Sequence, residues 1–333
     1  MKIRVLVSGA GGDVGQGVMK ALFSSCLNIE IYTTCISKES SWLHHKDVIG
    51  FIAPYSDDED YIDWIIKLIQ KYQIDVFFPT VDSEILKISL QKHRIETETK
   101  CKVFVDDVDK VKICSDKYKT AKFLKENNFP YPLTAIACKS ELFLFLEKCG
   151  FPLILKKREG KGAQDVFKIE DEIQLHNYLE NDAYIIQEWL DPSFGEYTTG
   201  IYLGDDGNVK GICTFKRKLK GGSTFIAERV IDPILEKQLE DIAKVIGMKY
   251  INIQSMRKGN ELVPFEFNGR LSGSTSMISR VFNAPEMFIN EKILNKNLTR
   301  IQNSEKFIAM RYYEEIYTSQ ENIYDIEKRS KLI

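Results

Sequence analysis

Val263-Pro264-Phe265-Glu266-Phe267-Asn268-Gly269-Arg270 is the stretch on which the reading of this chain turns. Its apolar and polar residues alternate with the period of a β-strand. Side chains on a strand point alternately to opposite faces. Glu266, Asn268 and Arg270 are therefore predicted on one face, and Val263, Phe265 and Phe267 on the other, in the core. A carboxylate, an amide oxygen and a guanidinium on one face suit a hard divalent cation and a phosphoryl group together. Taken alone, any half-buried strand with one wet face would produce the same pattern. What surrounds it along the chain decides between the two.

The chain has 333 residues, 44% of them hydrophobic and 28% charged, enough to build cores for two or three domains. A net charge of -2 offers no broad basic surface for nucleic acid. No apolar run approaches the ~20 residues that span a bilayer. Neither nucleic acid nor membrane is an expected partner. The N-terminus reads IRVLVSGAGG, a strand and a turn, rather than an apolar leader with a cleavage site. Seven scattered cysteines form no CxxC pair, so mostly buried, reduced thiols in a cytoplasmic protein are expected. The four histidines have no metal-ligand spacing, and His44-His45 is expected in a solvated loop.

Residues 3–8 read as a buried strand, followed by the turn Gly9-Ala10-Gly11-Gly12-Asp13-Val14-Gly15 and a helix from Val14 to Phe23. A strand is predicted over 29–35 and a helix over 57–72 through Ile62, Ile65, Ile66 and Ile69. Further strands are predicted at 75–80, ending in Val81-Asp82-Ser83-Glu84, and at 102–105. Strands alternating with helices predict a parallel α/β domain over 1–108. Ser115 is predicted as a helix N-cap with Asp116 in the first turn, and Phe129-Pro130-Tyr131-Pro132 stops that helix. Residues 109–190 read as α+β, with helices near 140–149 and 171–180. Residues 191–305 begin with strands at 197–203 and 209–216, joined across Asp205-Asp206-Gly207-Asn208. Asp232-Pro233 starts a helix that ends at Gly247, and strands at 250–256 and 261–267 follow. Residues 306–333 read as a charged tail.

Two further segments carry chemistry. Lys156-Lys157-Arg158 ends a buried strand and precedes Glu159-Gly160-Lys161-Gly162-Ala163-Gln164-Asp165. A lysine beside a glycine loop can bring cations and backbone N–H groups to phosphates; the bland alternative is a surface hairpin. Gln187-Glu188-Trp189-Leu190 ends another strand, where main-chain groups could meet an adenine. Glu196 follows within reach of ribose hydroxyls, although an ordinary strand end would look similar.

In order, the chain carries Asp116-Lys117, then Lys156-x-Arg158 with its glycine loop, then Gln187-Glu188-Trp189-Leu190. Glu196, Gln254 and Glu266-x-Asn268-x-Arg270 complete the set. Over about residues 1–300 it resembles the ATP-grasp superfamily, in the branch of carbamoyl-phosphate synthase large-subunit modules. The resemblance implies an α/β fold: a Rossmann-like pre-ATP-grasp domain (1–108), then two α+β ATP-grasp subdomains (109–190 and 191–305) with ATP bound between them. It implies an ATP-dependent ligase, one that activates a small-molecule carboxylate as an acyl phosphate for attack by an amine, a thiol or a similar nucleophile. ATP and Mg²⁺ or Mn²⁺ are the implied cofactors, and a homodimer is a possible assembly.

Residue by residue, the resemblance puts Lys117, Lys156 and Arg158 at the phosphates and Gly160, Gly162 and Gln164 in the lid. Gln187, Glu188, Trp189 and Leu190 fall at the adenine, and Glu196 at the ribose. Glu266 and Asn268, helped by Gln254, would hold the metal. Arg270, with Arg217 and Lys156, would stabilise the transferring phosphoryl group. Asp13, Asp82, Glu84, Ser272 and Ser274 are candidates for substrate recognition. The chain departs from the family at Lys157 and Gly269, where proline is common, and in a lid without the usual serine. One second module and an amidotransferase region are missing, so a complete carbamoyl-phosphate synthase is not expected. Two rival readings exist. Gly9-x-Gly11-Gly12-x-x-Gly15 could serve a nicotinamide-dependent reductase or epimerase, but Thr33, Thr34 and Cys35 stand where an acidic residue is needed. The other is a non-catalytic ATP-binding regulator.

Overall fold

The computed structural model describes residues 2–160, 165–179 and 181–333. Five short apolar strands form a parallel sheet: β1 (Ile3–Val7), β2 (Ile29–Cys35), β3 (Val48–Ile52), β4 (Val76–Phe78) and β5 (Lys102–Val103), in the order β3-β2-β1-β4-β5. Such strands are apolar on both faces because helices cover both. Helix Tyr61–Tyr72 buries Ile62, Ile65, Ile66 and Ile69 against one of them. Helix Asp13–Phe23 follows the glycine turn. A Cβ on Gly15 would stand 2.3 Å from the Gly9 carbonyl oxygen, so this turn closes only with glycine there.

A four-stranded antiparallel sheet follows, with β6 (Thr134–Ile136), β7 (Leu153–Lys157), β8 (Val166–Ile169) and β9 (Tyr184–Glu188) in the order β6-β9-β7-β8. Its core, built on residues such as Leu142, Phe145, Leu155 and Ile186, is its own. The last sheet has six antiparallel strands: β10 (Glu196–Leu203), β11 (Val209–Lys220), β12 (Ser223–Val230), β13 (Tyr250–Lys258), β14 (Glu261–Asn268) and β15 (Ile308–Met310). Helix Pro233–Ile246 packs on it through Leu235, Leu239, Ile242 and Ile246. The Asp232 carboxylate caps that helix by accepting from the Ile234 and Leu235 N–H groups. A second core joins this sheet to the parallel one, with Val5, Val7 and Val18 in the same cluster as Tyr202, Phe215 and Phe288. The parallel and six-stranded sheets therefore form one packed body, while the four-stranded sheet packs around a core of its own.

Several expectations are corrected. The N-cap is Asp116, not Ser115: its carboxylate accepts from the Tyr118 and Lys119 N–H groups, while Ser115 ends the preceding helix Val108–Ser115. Residues 306–333 are not a loose tail. β15 pairs with β12, and helix Gln320–Ser330 docks on β3, with Ile326 buried and Ser330 Oγ accepting from the Ile52 N–H at 2.8 Å. His44 ends a 3₁₀ turn and the His45 ring stacks on Trp42 at 5.1 Å, so the pair is half-buried, with one ring packed and both still reached by water. All seven thiols are free, but only Cys101, Cys114 and Cys213 are buried. Among the described residues no helix is long and apolar enough to cross a membrane.

Candidate active site

A cleft of about 520 Å³ opens between the four-stranded and six-stranded sheets. Strand alternation puts Ile154 and Lys156 of β7 on its wall, and Asn252, Gln254 and Met256 of β13 opposite. Gln187 to Leu190, at the end of β9, close one end. Lys156 is buried, and its Nζ donates to Gln187 Oε1 at 2.7 Å, which holds the ammonium in the cleft. Burial pushes the Lys156 pKa down to about 7, against the pull of Glu266 and with help from Lys117. Lys117 Nζ donates to the Gly160 carbonyl at 3.2 Å, which places the lysine at the foot of the glycine loop. Gly162 and Gln164 lie outside the described residues.

The decisive strand differs from its predicted form. A bulge falls between the pairs Gln254–Glu266 and Ser255–Pro264, leaving Phe265 without a partner across the ladder. The extra residue resets the alternation. Phe267 stays in the core, but Phe265 leaves it and lines the cleft, with the Lys156 ammonium 5.4 Å from its ring centre. Glu266 and Asn268 keep the expected cleft-facing side, opposite Gln254 and Asn252.

The Glu266 carboxylate has no ion-pair or hydrogen-bond partner among the described residues, which leaves its oxygens open to a ligand in the cleft. Asn268 lies beside it in the same wall, and its amide oxygen accepts no hydrogen bond from the described residues. These oxygen donors fit a hard divalent cation that takes its remaining ligands from phosphate and water. Gln254 contributes less: Arg217 donates to its amide oxygen at 2.7 Å. Arg217 also donates twice to Glu196 Oε1, at 3.1 and 2.5 Å. The lining carries Lys117, Lys156, Arg217 and Arg270 against Asp13, Asp82, Glu188, Glu196 and Glu266. Four cations against five carboxylates do not neutralise a triphosphate, so added positive charge is needed.

Arg270 is held by Asp82, which accepts from its Nε at 2.5 Å and Nη2 at 2.8 Å. Asp82 begins helix Asp82–Thr99 of the parallel-sheet body, so this pair crosses from that body to the cation wall. Gly269 is closely packed: a Cβ there would stand 2.8 Å from the Met248 terminal methyl and 3.3 Å from Cys114, so a larger residue requires those side chains to shift. Asp13, Ser272 and Ser274 also line the cleft, and Ser274 Oγ donates to Thr224 Oγ1 at 3.2 Å.

Two candidates are not brought to the cleft. Arg158 turns away to the buried N-cap carboxylate of Asp116, donating to it at 2.7 Å. Glu84 is fully buried elsewhere. It accepts from Ser8, Tyr61 and the Thr80 and Val81 N–H groups, tying helix Asp82–Thr99 to β1. Glu84→Ala is expected to strip four donors of their acceptor and to cost about 3 kcal/mol. A urea unfolding midpoint measures this, and a loss under about 1 kcal/mol would contradict it. Sequence reading also missed the apolar walls, Ile154 and Met256. Each lies two residues from a predicted polar residue on its strand, so the period-two pattern held the signal.

The ATP-grasp domain family matches residues 114–274, which include the four-stranded sheet, five strands of the six-stranded sheet and, among them, the strand bearing Glu266 and Asn268. Residues 114–274 form an ATP-grasp domain. The chain is 25% identical over 218 residues to a carbamoyl-phosphate synthase of Methanobrevibacter smithii, covering 60% of this chain and 58% of that protein. It is 22% identical over 338 residues to the carbamoyl phosphate synthase large chain of Methanocorpusculum labreanum, covering 92% of this chain and 31% of that one. It thus spans less than two thirds of the length of either relative. N5-carboxyaminoimidazole synthetase from Staphylococcus aureus shares the fold at a TM-score of 0.73 and 15% identity, over 93% of this chain and 83% of that one. The shared fold therefore extends to both sides of the matched domain.

Proposed function

We propose that this ATP-grasp protein is a ligase that uses Mg·ATP to phosphorylate a small-molecule carboxylate, and that an amine or similar nucleophile then displaces the phosphate. The observation that carries the reading is Glu266, without a partner among the described residues, beside Asn268 on the wall that leads to Arg270, with Lys156 on the opposite wall of the same cleft. The same Staphylococcus protein has been solved in complex with ADP, which supports a nucleotide in the corresponding cleft. Phosphoryl transfer asks a protein mainly for positioning and charge stabilisation. Lys117 and Lys156 would bind the phosphates, Gln187 would fix the Lys156 ammonium, and Glu188 to Leu190 with Met256 and Ile154 would enclose the base. Glu266 and Asn268 would hold a divalent cation, which offsets phosphate charge when bound. Arg270 would face the transferring group, and a closed cleft would keep water from an acyl phosphate.

The test is ADP release from Mg·ATP across amino acids, sugar acids, dicarboxylates and bicarbonate, with hydroxylamine present. ADP and a hydroxamate from one carboxylate are expected. ATP binding without ADP from any of them would favour a non-catalytic sensor, and no ATP binding would remove the reading.

Lys156 also makes nucleotide binding pH-dependent. Free, it titrates near pH 7; beside bound phosphates the charged form is favoured and the pKa rises. Below about 7 the lysine is already charged. Above it, binding must take up a proton, so affinity is expected to fall as pH rises, approaching tenfold per unit. Calorimetric titration of Mg·ATP at pH 8 in two buffers of different ionisation enthalpy measures that proton. Identical heats in both would refute the uptake.

A further inference from the structure

A second groove, of about 1300 Å³, opens beside the ATP cleft. Helix Asp13–Phe23, the turn at 220–224 and the segments 276–286 and 307–313 form its walls. The two share Asp13, Gly221, Ser223 and Thr224, so they are continuous. Their charge differs. The groove carries Lys20, Lys220, Arg280 and Arg311 against Asp13 and Glu286, four cations to two carboxylates, in a chain whose net charge is -2.

Not all of that charge is already matched. Arg280 pairs with Glu305. Arg311 donates to the Gly273 carbonyl and lies 3.6 Å from Asp13. Lys20 and Lys220 make no ion pair among the described residues. Their ammonium groups lie over rings instead: Lys220 is 4.9 Å from the centre of Phe225 and 5.7 Å from that of Tyr313, and Lys20 is 5.9 Å from that of Trp42. Both lysines are exposed, so their outward N–H groups stay available to a ligand. Asp13 stands at the junction, accepting from Ser223 Oγ at 2.9 Å. Lys20 lies seven residues further along the helix, about 10 Å away at 1.5 Å per residue.

We propose that this groove is the site of the nucleophile, and that the nucleophile is an amine carrying additional negative charge, up to the size of an acidic dipeptide. The proposal rests on the ligase reading above. The amine end sits at Asp13, next to the ATP cleft, and the anionic end sits on Lys20 and Lys220. Each contact is a charge-assisted hydrogen bond. A cationic polyamine meets a surplus of like charge and is turned away. Tyr312 and Tyr313, both largely exposed, give the ligand's carbon chain an aromatic flank.

The test is titration of the full chain, with and without Mg·ADP, with L-glutamyl-L-glutamate, L-glutamate, glutarate and putrescine. The dipeptide is expected to bind at least tenfold more tightly than putrescine. Lys20→Gln with Lys220→Gln should weaken it tenfold or more while leaving Mg·ATP affinity within twofold. Asp13→Asn should weaken the dipeptide but not glutarate, which has no amine. Equal binding of putrescine and the dipeptide, or an unchanged dipeptide affinity in the double lysine variant, would overturn the assignment. The nucleotide-free titration reads the groove alone, so a protein that failed to bind Mg·ATP would sink the ligase reading without touching this result.

Discussion

Glu266→Ala is expected to lower ATP turnover by about 10²–10³-fold or more, the cost of removing one group that places charge at a transferring centre. The variant loses a carboxylate that has no partner among the described residues, and with it the proposed anchor for a divalent cation. A second effect adds to the first. Glu266 raises the Lys156 pKa against burial and the Lys117 charge, which both drive it down. Without that carboxylate the lysine is expected to titrate below 7 and to be largely neutral at physiological pH. Glu266→Gln separates shape from charge: it keeps an oxygen on the wall but removes the field at Lys156. Both variants should show weakened Mn²⁺ binding by electron paramagnetic resonance, and the pH at which nucleotide affinity begins to fall should move to lower values. Wild-type turnover in Glu266→Ala would remove the metal assignment.

Arg270→Ala is expected to reduce turnover by about 10³-fold or more while changing Mg·ATP affinity little, because a guanidinium at a transferring phosphoryl group acts mainly in the transition state. Arg270→Lys should rescue poorly, since an ammonium cannot make the two parallel contacts that Asp82 now receives. The stability cost should be small. Asp82 is one-third exposed, and a partly exposed pair contributes about 1 kcal/mol or less. Turnover and nucleotide affinity measured on the same preparation decide the matter. A parallel loss of both would assign Arg270 to ground-state binding.

The Asp82–Arg270 pair marks the limit of sequence reading. Both residues were candidates, one for substrate and one for phosphoryl transfer, yet nothing in their spacing says that 188 positions of chain close to bring them together. Glu84 shows the same limit in reverse. Its place at a strand end resembles a site, and only the fold reveals four donors converging on it inside the body. Arg158 is diverted to the Asp116 carboxylate. The segment 306–333 looked like a tail because its pattern is too polar to form a core; it is ordered by what it docks on, one strand edge and β3.

What the sequence determined by itself was local. The apolar runs of β1 and β2, the period-3.6 face of helix Tyr61–Tyr72, the Asp232-Pro233 start and the turn at Gly207 each follow from interactions among near neighbours, so they were legible without the fold. The shared face of Glu266 and Asn268 was legible for the same reason, because two residues on a strand keep one side. The tertiary structure alone decided the bulge that turns Phe265 into the cleft, the bond that fixes Lys156 on Gln187, and the low Lys156 pKa. Register, burial and local field are set by which distant strands meet, and the energy of a buried charge depends on every group around it rather than on its neighbours in sequence.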